Sequence, residues 1–360
     1  MNQDNDQIIF FNDANSKNIN NNPNDTQMSS AYSKRIYNSF KECNFKFSLW
    51  AMNLPEIYRD IVKVIPDETI SFSLFPIKTA ILCEFISAAI CHQINWDYIR
   101  SKIKDRVKVN PKWITTENLS KINEFEIREL LSDYHRTERI DAIGRTKILR
   151  ELADTYKETG FERIFYSKSG LPNGFEYIRQ QLLCSKTFSG DFVEKKLQLL
   201  LMKLSAYDDF KSFGNKCKPT IDYHLIRMYI RRGFLMPRNS SSINFVFSDT
   251  IHRENTLAAV RKHCANIVYS LRDITGLNIV EINLADWWIG RSVCIEGSPD
   301  CLMKKKESQW LKKRFDKCPF YEFCLAQNSD FTQLILDKFE KNKNLDLKGI
   351  DSPNYSGNNY

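Results

Sequence analysis

The stretch IDYHLIRMYIRRG, residues 221–233, sets one acid, Asp222, at the head of a basic, amphipathic run. His224 follows two residues later, then Arg227, Arg231 and Arg232. A carboxylate in that place has two uses. It can cap the free amides of a helix start. Alternatively, ionised beside a cation, it can stabilise positive charge developing on a substrate. Spacing alone leaves both open. The three arginines suit either phosphate or a solvated face, and Lys195 and Lys196 in FVEKKLQLLL carry the same two readings. Near neighbours on a helix diverge, so His224 is expected to face away from Asp222. Trp287 and Trp288, in ADWWIG, fit a stacking platform or an ordinary core.

Four of the ten cysteines fall close together: Cys294, Cys301, Cys318 and Cys324, separated by six, sixteen and five residues. Structural zinc sites usually open with cysteines only two to four residues apart. Wider loops suit a cubane iron–sulfur core, which is larger than one ion. Zinc and four unrelated thiols remain as alternatives. The other six cysteines sit in apolar segments and read as small core residues.

These groups need elements to hold them. The chain has 360 residues, 42% of them hydrophobic and 12% aromatic, enough for one large domain or two smaller ones. The net charge of +8 is concentrated in RMYIRRG and KKKESQWLKKRFDK, which favours a phosphate-bearing partner. The longest apolar stretch, AILCEFISAAIC, is broken by Glu84 and too short for a bilayer. The Asn- and Asp-rich start has no apolar signal core. An intracellular location, nuclear or cytoplasmic, without membrane contact is therefore expected.

Between polar tails the apolar spacing is helical. It runs through PIKTAILCEFISAAICHQINWDYIRSKI for over six turns, then NEFEIRELLSDY, RIDAIGRTKILRELADTY, GFEYIRQQLLC, DFVEKKLQLLLMKLSAY, IDYHLIRMYIRRG, TLAAVRKHCANIVYSLRDITG and VEINLADWWIGRSVC. Asp191 and Glu194 have capping-box spacing. INFVF is the best strand pattern, and MPRNSSS, residues 236–242, reads as a loop. The expectation is an all-α protein of about ten helices. Its parts are a tail over 1–32, helices over 33–76 that pack with the C-terminal lobe, a bundle over 77–230, a C-terminal lobe over 231–330 and a tail over 331–360.

DYHLIR and the cysteine set together resemble the helix-hairpin-helix DNA glycosylase superfamily, in particular its endonuclease III-like members with an iron–sulfur loop. The outer cysteine gaps agree with that loop; the middle one holds a basic insertion, LMKKKESQWLKKRF. ILCEFISAAICHQINWDYI is similar to the family's early helix, whose terminal Gln matches Gln93, and RIDAIGRTKILREL to the helix that follows. The resemblance covers about residues 77–324. It implies a two-lobed fold, a 4Fe-4S cluster on Cys294, Cys301, Cys318 and Cys324, a catalytic Asp222 and DNA as partner. It also implies Gln93, His224, Arg227, Arg231 and Trp287 at the nucleic acid or the extruded base. The family's glycine-rich hairpin and its lysine have no counterpart in LSAYDDFKSFGNKCKP.

A second resemblance lies with queuosine salvage nucleotide N-glycosylases, which share the core without that hairpin. FVEKKLQLLL and IDYHLI are similar to their catalytic elements, with Lys195 and Asp222 as the Lys–Asp pair, and VEINLADWWIG to their C-terminal helix. Those proteins have no cysteine cluster. The resulting expectation is a monomeric N-glycosidic bond hydrolase, with base excision from DNA first. Salvage of a small nucleotide comes second, and a non-catalytic iron–sulfur module that binds nucleic acid third.

Overall fold

A computed structural model describes residues 40–42, 53–65, 72–190, 194–237, 253–294, 318–321 and 324. In chain order the elements are β1 (Phe40–Glu42), α1 (Leu54–Val64), α2 (Ile77–Ile90), α3 (Trp96–Val109), α4 (Thr116–Lys121) and α5 (Glu124–Leu130). Then come α6 (Ala142–Thr155), α7 (Glu162–Phe165), α8 (Phe175–Leu183), α9 (Lys186–Ser189) and α10 (Lys195–Leu204). The last are α11 (Tyr223–Arg232), β2 (Leu235–Pro237), α12 (Arg253–Thr275) and α13 (Ile279–Ser292). The described chain is mostly helical, as its periodicity requires. No described helix is long and apolar enough to cross a membrane. The two tails, INFVF, Asp191, Cys301 and the basic insertion lie outside the described residues.

The long helical pattern over residues 76–103 divides in two. α2 ends at Ile90, and α3 begins at Trp96 with the Asn95 side chain accepting from the Asp97 amide. Gln93, in the turn between, has a φ of 59°. α2 is apolar on all sides and forms the centre of a bundle, packed on α3, α6, α7 and α10. Its Phe85 ring meets Tyr156, Phe161, Phe165 and Phe188. Glu84 is buried at the same level. It is tolerated because Arg100 of α3 pairs with it and the Tyr207 hydroxyl donates to it at 3.2 Å.

A second group holds α1, α11, α12, α13 and one antiparallel strand pair, in which Phe40 faces Pro237 and Glu42 faces Leu235. Met236 and Pro237 thus belong to a strand rather than to the expected loop. α11 packs on α12 and α13. Asp286 of α13 ties the group together. It accepts from the hydroxyls of Tyr58 in α1 at 2.8 Å and Tyr229 in α11 at 2.6 Å, and from Arg232 at 3.0 Å. Gly290 permits the close approach of α13 to α11: a Cβ there would lie 3.1 Å from the His224 carbonyl oxygen. Gly233, at φ 71°, ends α11 in the left-handed conformation that glycine adopts without steric cost.

Candidate functional site

Five helix ends converge between the two groups: the C-termini of α2 and α13, and the N-termini of α3, α10 and α11. Asp222 is the N-cap of α11, and its Oδ1 accepts from the Leu225 amide at 3.1 Å. The carboxylate is buried, 7% exposed. Capping is therefore an observed role, and it leaves the second carboxylate oxygen available for another.

His224 is half-buried and lies against the Tyr223 ring, with centroids 4.0 Å apart. Its pKa is lowered by burial and by the charges of Arg227, Lys195 and Arg291, against the opposing pull of Asp222. His224 thus feels charges from three helices: Lys195 of α10, Arg227 of α11 and Arg291 of α13. The His224 imidazole makes its hydrogen-bond contact along the helix, with Nδ1 3.1 Å from Arg227 Nη2. Arg291 pairs with Asp97 of α3 at 3.3 Å, and its guanidinium sits 4.8 Å from the centre of the Trp287 ring. Trp287 is half-buried and meets Trp288 edge to face, with centroids 5.8 Å apart.

The floor comes from the turn after α2. The Lys196 ammonium donates to the Ala89 carbonyl at 3.3 Å. Cys91 lies within the field of Lys195 and Lys196, but burial outweighs both and holds its thiol above the usual range. His92 sits 3.2 Å from Asp141 and is pushed down to about 4 by burial and by the buried Arg145 guanidinium. Arg145 in turn donates to the carbonyls of Ile90, Arg139, Ile140 and His92, which fixes this turn to the start of α6.

Gln93, Asp141 and Glu194 are the three non-glycine residues with positive φ among the described residues. All three border this site. Left-handed backbone costs energy for a residue with a Cβ and concentrates where geometry matters. Glu194 is the N-cap of α10, one residue before Lys195. The capping box expected with Asp191 lies outside the described residues. The buried Glu194 carboxylate pairs with Arg179, with Lys218 at 3.4 Å and with the Gln198 amide at 3.0 Å. Burial raises its pKa, but the Arg179 hydrogen bond and the Lys218 charge overcome this and keep it ionised.

Arg227 and Arg231 are not on a surface where they could meet DNA; both are fully buried. Arg227 donates at 2.8 Å to the carbonyls of Cys294 and Gly290. Arg231 Nη1 lies 3.6 Å from the Cys294 sulfur, and its carbonyl 3.5 Å from the Cys324 sulfur. Arg232 is buried as well, 3.4 Å from the centre of the Phe320 ring. Their amphipathic spacing suggested a face, but α12, α13 and the cysteine segment cover it.

Cys294, Cys318 and Cys324 are all buried, and all three approach this arginine pair. Among the described residues no group of three or more His, Cys, Asp or Glu side chains is disposed to hold a single metal ion. Asp97, Arg291 and Glu194 were not anticipated from the sequence. A charged residue at the edge of an apolar helix, as in WWIGR, was the only signal for Arg291. Compared with known proteins, the chain matches no family model and no curated sequence.

Proposed function

We propose that the protein hydrolyses an N-glycosidic bond. One observation carries the reading: the carboxylate of Asp222 is buried at the N-terminus of α11, beside His224 and within reach of the charge at the N-terminus of α10, where Lys195 stands. As the base leaves, positive charge builds on the sugar. An ionised Asp222 stabilises that charge and orients the attacking water. Lys195 supplies a cation at the start of the neighbouring helix α10. Gln93, in the turn after α2, and Trp287, beside Arg291 on α13, suit contact with the departing base.

Base excision from DNA is the first substrate class, supported by the resemblance and by the basic insertion. A second reading, release of a modified base from a free nucleotide, draws support from the burial of Arg227, Arg231 and Arg232. That burial removes three cations from any DNA-gripping surface.

A 4Fe-4S cluster on Cys294, Cys301, Cys318 and Cys324 fits the donor set. Three of these thiols are buried, and cluster thiolates carry negative charge that the buried Arg231 and Arg232 would balance. Zinc fits the spacing less well. When bound, the cluster would fasten the C-terminal segment to α11.

The test is base release, read by mass spectrometry. Protein purified without oxygen is offered lesion-bearing duplexes and modified nucleoside monophosphates side by side, with Asp222→Asn as control. Release that is lost in Asp222→Asn supports the reading, and the active substrate set names the class. Salt-sensitive DNA binding with no release from either set supports a binding module instead.

A further inference from the structure

Residues 217–222 carry no helix, yet they deliver Asp222 to its place. Alternate amides along this extended run are held by side chains from two different helices. The Lys218 amide donates to Gln198 Oε1 of α10 at 2.7 Å. Two residues on, the Thr220 amide donates to Asn283 Oδ1 of α13 at 2.7 Å. Asn283 returns its own NH2 to the Thr220 carbonyl at 3.2 Å and to the Thr220 hydroxyl at 3.0 Å. It thus pairs with Thr220 as a neighbouring strand would. Asp222 is next in this two-residue rhythm, with φ −112° and ψ −177°, still extended.

The α10 side of this ladder reaches Lys195 as well. Gln198 is held by Glu194, and Glu194 is the left-handed residue that starts α10 immediately before Lys195. Asn283, Gln198 and Glu194 are 4%, 1% and 3% exposed. Three buried polar side chains are costly unless each is satisfied: Asn283 and Gln198 hold amides on the approach to Asp222, and Glu194, which also pairs with Arg179, holds Gln198.

We infer that Asn283 is a positioning residue for Asp222, with Gln198 and Glu194 as its counterpart on the Lys195 side. The side-chain amides stand in for a neighbouring strand and set the position of the carboxylate relative to the start of α10. The kinetic part of this inference rests on the N-glycosidase reading; the structural part does not.

The experiment compares wild type, Asn283→Ala and Asn283→Asp in the full chain. Asn283→Asp keeps the acceptor for the Thr220 amide. Hydrogen exchange is followed at the amides of Thr220 and Leu225, with amides in the middle of α2 as reference. In Asn283→Ala, exchange at Thr220 and Leu225 should quicken at least tenfold while the reference amides stay unchanged. Asn283→Asp should recover Thr220. Where base release is measurable, kcat in Asn283→Ala should fall roughly a hundredfold with KM within about twofold, since small misplacement of a reacting group costs that much. Uniform acceleration of all amides would show a general structural role and overturn the inference. So would unchanged exchange at Leu225, or a loss confined to KM. A wild type that releases no base would defeat the N-glycosidase reading while the exchange comparison still decides the positioning role.

Discussion

Asp222 has a capping role and a proposed catalytic one, and two substitutions separate them. Asparagine caps a helix about as well as aspartate, so Asp222→Asn should leave the melting temperature nearly unchanged. Base release should fall at least about a hundredfold, because the charge facing the sugar is gone. Asp222→Ala should lose the cap as well and cost about 1 kcal/mol by denaturant titration. Equal activity in wild type and Asp222→Asn would reduce this residue to a cap.

His92 offers a test by pH. Its pKa is pushed down to about 4 in the fold, against about 6.5 in an unfolded chain. The unfolded chain therefore takes up a proton that the folded one refuses. The contribution is complete above about pH 6.5 and is lost as pH falls through the range down to about 4. It amounts to roughly 3 kcal/mol. Stability measured from pH 7 to pH 4 should fall less steeply in His92→Gln than in wild type. Parallel curves would mean that His92 is not held neutral.

At the scale of elements, the contact between α11 and α13 is set by Gly290. A methyl group there would press on the His224 backbone, which cannot swing aside as a side chain can. Gly290→Ala gains up to about 1 kcal/mol of helix propensity. It should still lose about 1–3 kcal/mol overall through overpacking. Thermal unfolding reads the sum, and a more stable variant would show that the helices separate freely.

Most helices were legible because their apolar spacing is regular and long. The break after α2 is not marked by the periodicity, since Ile90, Ile94 and Tyr98 keep four-residue spacing across the turn that Gln93 makes. The strand pair was hidden for another reason: each strand is three residues long and its partner lies far along the chain. The arginines of α11 were misplaced at the surface because their acceptors are remote. Arg227 meets a carbonyl 67 residues away. Asp222 and Lys195 could be nominated from residue type, whereas the Glu194, Gln198 and Asn283 ladder is visible only once three segments are side by side.

At the scale of the whole molecule, the cysteine segment decides how the C-terminal part is fastened. Protein isolated without oxygen should carry about four iron and four sulfide per chain. Cys294→Ser should lower both, and trypsin should then cut the segment around residues 301–317 faster. Zinc at one per chain with no sulfide would replace the cluster by a tetrahedral site.

The hydrogen bond from Tyr58 to Asp286 spans 228 residues, and the pairing of β1 with β2 closes a loop almost as large. The bundle from α2 to α10 is enclosed within that loop of sequence. During synthesis α1 emerges first and then waits, its apolar face uncovered, until α12 and α13 leave the ribosome. Refolding should therefore be biphasic: a fast phase for the bundle, and a slower one set by joining the two ends of the chain. The site between the groups is completed only in the second step. A truncated or stalled chain would hold a folded bundle without an assembled site, so this topology couples activity to completion of the polypeptide through α13.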